Sequence, residues 1–212
     1  MSSTTPSTPT DLFIEGDASA HLEELITDAL PALEAPPELG TMIDVELVGP
    51  HLRLSGTIGL GRFRRLSDLL NSQEGLIALH NATILRRNGT ATRVTTPKIW
   101  VSPAEVTLIG ESGDRAPADP STELRIPKDP HDLVVVTPGH TLTGTVHIVS
   151  GGQISVFIES NDPPFVALTD AQTRSLADRR IIARYGFALL NRRHIVATTE
   201  LAPHMIRGRS VI

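Results

Sequence analysis

The sequence predicts a mainly β protein: two tandem small β-barrels, Sm-like or SH3-like, each with a short helix, behind one N-terminal amphipathic helix. Three observations carry this expectation. A stretch of about 70 residues recurs, polar and apolar residues alternate along most of each copy, and bulky aromatics are scarce. One Trp, one Tyr and five Phe in 212 residues leave the core to Val, Ile, Leu and Ala.

The repeat is visible at an offset of 88, where Asp44-Val45-Glu46-Leu47-Val48-Gly49-Pro50 faces Asp132-Leu133-Val134-Val135-Val136-Thr137-Pro138. Leu54, Gly56, Thr57, Ser67 and Ser72 then match Leu142, Gly144, Thr145, Ser155 and Ser160, so eight of 29 positions from 44 to 72 are identical. One inserted residue moves the offset to 89, and Leu76-Ile77-Ala78-Leu79-His80-Asn81-Ala82 faces Phe165-Val166-Ala167-Leu168-Thr169-Asp170-Ala171. Persistence across one indel points to duplication. On this basis residues 1–15 read as a Ser/Thr/Pro tail and 16–42 as an acidic helix segment. Residues 43–111 and 131–201 are the two barrels, 112–130 the linker and 202–212 a C-terminal tail.

Each element has its own signal. Ser19 to Leu30 carries Leu22, Leu25, Ile26, Ala29 and Leu30 at helical spacing, with Pro31 to end it. Apolar runs 43–48 and 133–137 each finish in a Pro-containing turn. Leu52, Leu54, Gly56, Ile58 and Leu60 alternate with polar residues, as do Leu142, Gly144, Val146 and Ile148, the period of half-buried strands. Leu66, Leu69 and Leu70 predict a one- or two-turn helix. Strands follow at 76–86, 92–101 and 104–110, the first two joined through Asn88-Gly89, a hairpin signal. The second copy places strands near 165–173, 180–190 and 193–199. Gly56-Thr57-Ile58-Gly59-Leu60-Gly61 lacks the P-loop lysine and reads as a bent or bulged strand.

Arg65-Leu66-Ser67-Asp68-Leu69-Leu70-Asn71, Pro164-Phe165-Val166-Ala167-Leu168-Thr169-Asp170-Ala171 and Asn191-Arg192-Arg193-His194-Ile195-Val196 together resemble an uncharacterised bacterial family of small β-domains. The resemblance covers roughly residues 43–111 and 131–200. Each copy departs where the other conforms: the first has Gly75 to Ala82 and Ser102-Pro103-Ala104-Glu105-Val106, the second Gln153 to Glu159. The resemblance implies a fold and brings no activity.

Composition narrows the function. Without cysteine there is no disulfide, thiolate metal site or thiol nucleophile. Eight histidines (His21, His51, His80, His131, His140, His147, His194 and His204) show no metal-ligand spacing, so no metal or cofactor is implied. No G-x-S-x-G or S-x-x-K occurs, Ser67-Asp68 reads as helix-turn chemistry, and Glu23 and Glu24 as solvated helix positions; a non-enzyme is expected. The start of the chain lacks a signal-peptide pattern, and no apolar run reaches membrane length, which points to a cytoplasmic protein without a membrane partner.

The net charge of −5 divides into ten acids and no bases in residues 1–50, against fourteen acids and nineteen bases in 51–212. Seventeen of those bases are Arg, the planar cation suited to phosphate and carboxylate. Arg62, Arg64 and Arg65, then Arg86 and Arg87, then Arg179, Arg180, Arg192 and Arg193 form the candidate anion or nucleic-acid contacts. An Arg-rich body allows RNA binding or an anionic nucleotide site; scarce aromatics oppose base stacking. The leading expectation is a non-enzymatic assembly module. Its Val/Ile/Leu-rich edge strands pair with another copy or another protein, as pseudo-dimer or part of a larger oligomer, and the acidic N-terminal segment modulates access to the Arg surface.

Overall fold

In the computed structural model, which describes residues 40–50, 52–73, 75–86, 93–113 and 126–201, the period-two pattern becomes strand. β1 (Met42–Val48) and β2 (Leu52–Gly59) form an antiparallel hairpin. Along β1, Ile43, Val45 and Leu47 are buried and Met42 and Asp44 exposed, the alternation a pleated strand imposes. α1 (Leu66–Ser72) follows and buries Leu66, Leu69 and Leu70, the helically spaced leucines. β3 (Ile77–Arg86), β4 (Arg93–Val101), a 3₁₀ turn at Pro103–Glu105 and β5 (Leu108–Glu111) complete the first half.

The same order of elements then recurs: β6 (Lys128–Thr137), β7 (His140–Val149), α2 (Ile154–Glu159), β8 (Phe165–Ser175), β9 (Ile181–Asn191), a 3₁₀ turn at Arg192–His194 and β10 (Ala197–Glu200). Local irregularities recur too. Register shifts at Ser55/Thr57 and again at Thr143/Thr145. Asn81 and Asp170 both take left-handed backbone, with φ of 47° and 51°. Thr57 donates to Asp44 as Thr145 does to Asp132. Gly56 marks the first bulge because a Cβ there would sit 2.7 Å from the His80 carbonyl oxygen, so only glycine allows that approach.

Three expectations change. The strands expected at 104–110 and 193–199 begin later, since the 3₁₀ turns Pro103–Glu105 and Arg192–His194 consume the first residues. β6 starts at Lys128, inside the stretch read as linker, because residues 128–130 pair with β7. Closed separate barrels are replaced by one antiparallel ten-stranded sheet, ordered β10-β6-β7-β8-β9-β5-β1-β2-β3-β4 and not closed. The cause is the use made of β5. Its one edge pairs with β1 and its other with β9, so it has none left for β4. The expected helix at Ser19–Leu30 and the Asn88-Gly89 turn lie outside the described residues.

Two hydrophobic cores result, and each is completed by the other half. Phe165 and Leu189 enter the core formed by the first half, while Val48 and Leu108 enter that of the second. Along β5, Leu108 serves one core and its neighbour Ile109 the other; along β9, Leu190 and Leu189 do the same. Strands whose alternate side chains feed two cores are shared, so neither half is complete by itself.

Candidate interaction surface

The β5–β9 seam is held by polar locks as well as by its shared cores. Asn71, near the end of α1, uses its amide as a surrogate strand. Its Nδ2 donates to the Phe165 carbonyl (3.2 Å) and its Oδ1 accepts from the Phe165 N–H (2.8 Å). Asn191 performs the reverse service at the end of β9. Its Nδ2 donates to the Pro103 and Val106 carbonyls at 3.1 and 3.0 Å, while its Oδ1 accepts from the Arg193 N–H. Both asparagines thus satisfy backbone groups at strand ends that would otherwise be stranded.

A third lock sits mid-seam. The Tyr185 ring lies over Gly110, where an added Cβ would fall closer than 3.0 Å to three ring atoms. Its hydroxyl donates to Glu46 Oε2 at 2.8 Å, and Glu46 is itself ion-paired with Arg53. Burial pushes the Tyr185 phenol up to about 12, with Arg53 pulling weakly the other way. A neutral phenol that donates to a carboxylate is therefore the stable state well beyond neutral pH.

At the ends of the sheet, β4 and β10 each have one edge without a strand partner among the described residues. The Val/Ile/Leu-rich segments expected at such edges are instead buried in the seam as Leu108, Ile109, Leu189 and Leu190. The free edges carry Thr95, Thr96, Thr198 and Thr199, with Trp100, Leu76 and Val196 as large exposed apolar groups near them. Unpaired edges of this kind invite another strand.

The candidate arginines divide between two groups of connections. The β2–β3, β4–β5, β7–β8 and β9–β10 connections meet around one cleft, and Arg62, Arg64 and Arg65 belong to the first of them and Arg192 and Arg193 to the last. Arg86, Arg179 and Arg180 belong to the β3–β4 and β8–β9 hairpins, whose residues Leu85 and Ile181 line a second cleft, and Arg87 lies outside the described residues. Arg62 lies over the Phe63 ring at 5.1 Å, and Arg180 approaches Asp178 at 3.9 Å on an exposed turn. Arg192 is turned inward. Its guanidinium donates to the Pro163, Phe157 and Ser160 carbonyls and stacks on Phe157, with 9% exposure, so it binds its own chain rather than an anion. Burial lowers its pKa, against a smaller raising effect from Asp162. Arg193 is exposed beside a cleft lined in part by Leu70, Ser102 and Pro164.

Among the described residues no three His, Asp or Glu side chains converge as a metal site, and no helix is long and apolar enough to cross a membrane. Ser67 and Asp68 touch at 3.5 Å on an exposed surface. His147 bonds Thr169, His131 bonds Glu200, and His194 bridges Thr107 and the Ala104 carbonyl, each a link between strands or turns. Sequence reasoning passed over Tyr185, Gly110, Asn71 and Asn191 as seam residues. A signal existed: the only Tyr in the chain stands in the repeat where the first copy has Thr96. No protein-family model matches the chain, and no curated protein or solved structure is detectably similar to it.

Proposed function

We propose that this protein is a non-enzymatic interaction and assembly module that works by strand addition at the free edges of β4 and β10. In this reading the two halves descend from one duplicated Sm-like unit whose closing strand is lent to its neighbour. The observation that carries it is the β5–β9 seam, in which strands from the two halves pair and each half supplies side chains to the other's core. An internal strand exchange of this kind is the same chemistry an external partner would use. The recurring element order, bulges and left-handed residues support duplication. Nucleic-acid binding has weaker support: the arginines divide between two groups of connections, and Arg192 is committed to carbonyls.

The test is affinity capture from native lysate with two baits: the intact chain, and the chain carrying both Trp100→Asp and Thr198→Pro. Strand addition requires that captured proteins, further copies of this chain included, be lost from the doubly substituted bait. An unchanged set overturns the reading. In parallel, RNA retention that is salt-sensitive and abolished by Arg62, Arg64 and Arg65 to Glu would promote the nucleic-acid alternative.

A further inference from the structure

We infer that the partner at both free edges is a second copy of this chain, with β10 of one copy pairing with β4 of the next in the register that joins β5 to β9. This rests on the assembly reading and adds to it the partner, the register and the anchoring side chains. The spacing of the two halves allows residue-by-residue comparison. Phe165 and Leu189, which the second half inserts into the first-half core, are 4% and 0% exposed. Their counterparts 89 residues earlier are Leu76 and Trp100, which are 53% and 57% exposed.

The receiving wall shows the complementary contrast. Around Phe165 and Leu189 the first-half core presents Leu47, Ile58, Leu69, Ile77, Leu79 and Ile109. The counterparts of these six, Val135, Val146, Phe157, Val166, Leu168 and Thr198, line a narrow apolar cleft beside β10, with Val135, Val146, Val166 and Leu168 buried in the second-half core. One end of the chain therefore carries two exposed apolar side chains, and the other end carries the counterpart of the apolar wall that receives their equivalents at the inner seam. Neither end complements itself, so the contact is heterologous and propagates head to tail.

Backbone direction agrees with this pairing. The Leu201 N–H donates to the Asp132 carbonyl, so alternation along β10 turns the N–H groups of Thr199 and Ala197 toward β6 and those of Thr198 and Glu200 outward. On β9 the Asn191 N–H donates to the Thr107 carbonyl, which turns the Leu189 N–H toward β5. By its correspondence with Leu189, the Trp100 N–H is assigned to the side away from β3. Thr198 then lies opposite Trp100, flanked by Ala197 opposite Val101 and Thr199 opposite Ile99. Pro97, which has no N–H, falls at the position of Gly186, outside the pairs Leu108↔Leu190, Ile109↔Leu189 and Gly110↔Ala188 that define the inner seam.

Two variants block one edge each: Leu76→Asp with Trp100→Asp at β4, and Thr198→Pro at β10, where proline removes an outward donor and leaves the β6 ladder intact. By light scattering, the wild-type mass should rise above one chain with concentration. Each variant alone should stay monomeric, its assembly midpoint moved by about 100-fold or more. Mixed in equal amounts they should form a 1:1 pair, because one keeps β10 and the other keeps β4. If Thr198→Pro melts well below wild type, Glu200→Pro blocks the other outward N–H. A wild-type chain that stays monomeric at every concentration overturns this inference; edge-dependent capture of a foreign protein would then leave the assembly reading standing. Self-association of either variant alone, or a mixture that stays monomeric while wild type assembles, also overturns it.

Discussion

Gly110→Ala is the sharpest perturbation of the inner seam, because it adds one methyl group and changes nothing else. The backbone at Gly110 is not left-handed, so alanine meets no conformational penalty there, and the effect is purely steric. A Cβ would come closer than 3.0 Å to the Tyr185 ring, which cannot move freely because its hydroxyl is held by Glu46 and Glu46 by Arg53. Overpacking costs about 1–3 kcal/mol. A ring that shifts also strains or loses a hydrogen bond to a carboxylate, worth about 1.5–3 kcal/mol. The combined loss is about 3 kcal/mol, which lowers the melting temperature of a chain this size by about 6–12 °C. Thermal melting by circular dichroism reads it directly. A double-mutant cycle isolates the contact: in a Tyr185→Ala background the methyl has room, and the added cost of Gly110→Ala should fall by about 1–3 kcal/mol. A Gly110→Ala protein that melts within about 1 °C of wild type, or a cycle with no coupling, would refute the claim that this close approach locks the halves together.

Two further outcomes follow from the same geometry. Tyr185 is the only tyrosine, so its tyrosinate absorbance can be followed without interference from another phenol, and its midpoint should lie near 12 rather than 10. The folded value is raised, so the associated stability is fully present below pH about 10 and is lost as pH rises toward about 12; it amounts to about 2–3 kcal/mol, and Tyr185→Phe should abolish that slope. A midpoint near 10 in the folded protein would contradict the buried hydrogen-bonded phenol. The neighbours Arg192 and Arg193 should behave oppositely: Arg192→Met strands three carbonyls and should cost about 2–4 kcal/mol in urea unfolding, while Arg193→Met stays within about 0.5 kcal/mol of wild type. Equal effects at the two positions would dismiss the assigned difference.

What could be read from the sequence was whatever repeats over short distances. Alternation at Leu52, Leu54 and Ile58 is a property of one strand, and three leucines at 66, 69 and 70 mark one helix face, so both elements were visible. The choice of partner for an edge leaves no such trace. β5 and β10 have four residues each, and nothing in Leu108-Ile109-Gly110-Glu111 says that its outer edge belongs to β9 and not to β4. Leu76 and Phe165 occupy the same place in the repeat and look equally apolar, yet one is half exposed and the other buried, because only the latter has a neighbouring half in the same chain. Arg192 and Arg193 read alike as cations for the same reason: only the fold shows which one faces the Phe157 and Ser160 carbonyls.

The contrast between the inner seam and its outer counterpart explains why one is built into the chain and the other is left to association. At the inner seam Tyr185 packs on Gly110; at the outer one the corresponding residues are Thr96 and Thr199, without the ring or the cradle. Asn71, which both donates to and accepts from the Phe165 backbone, corresponds to Glu159, whose carboxylate only accepts. Asn191 corresponds to Ser102, which cannot span two carbonyls as the amide does. Each substitution removes a polar lock but keeps the apolar side chains. Covalent linkage already holds the halves at high effective concentration, so the inner seam forms without the translational and rotational entropy cost that separate chains bear. An interface with fewer locks and that additional cost is weaker than the inner seam, so the outer contact exchanges reversibly with concentration while the inner one persists for as long as the chain is folded.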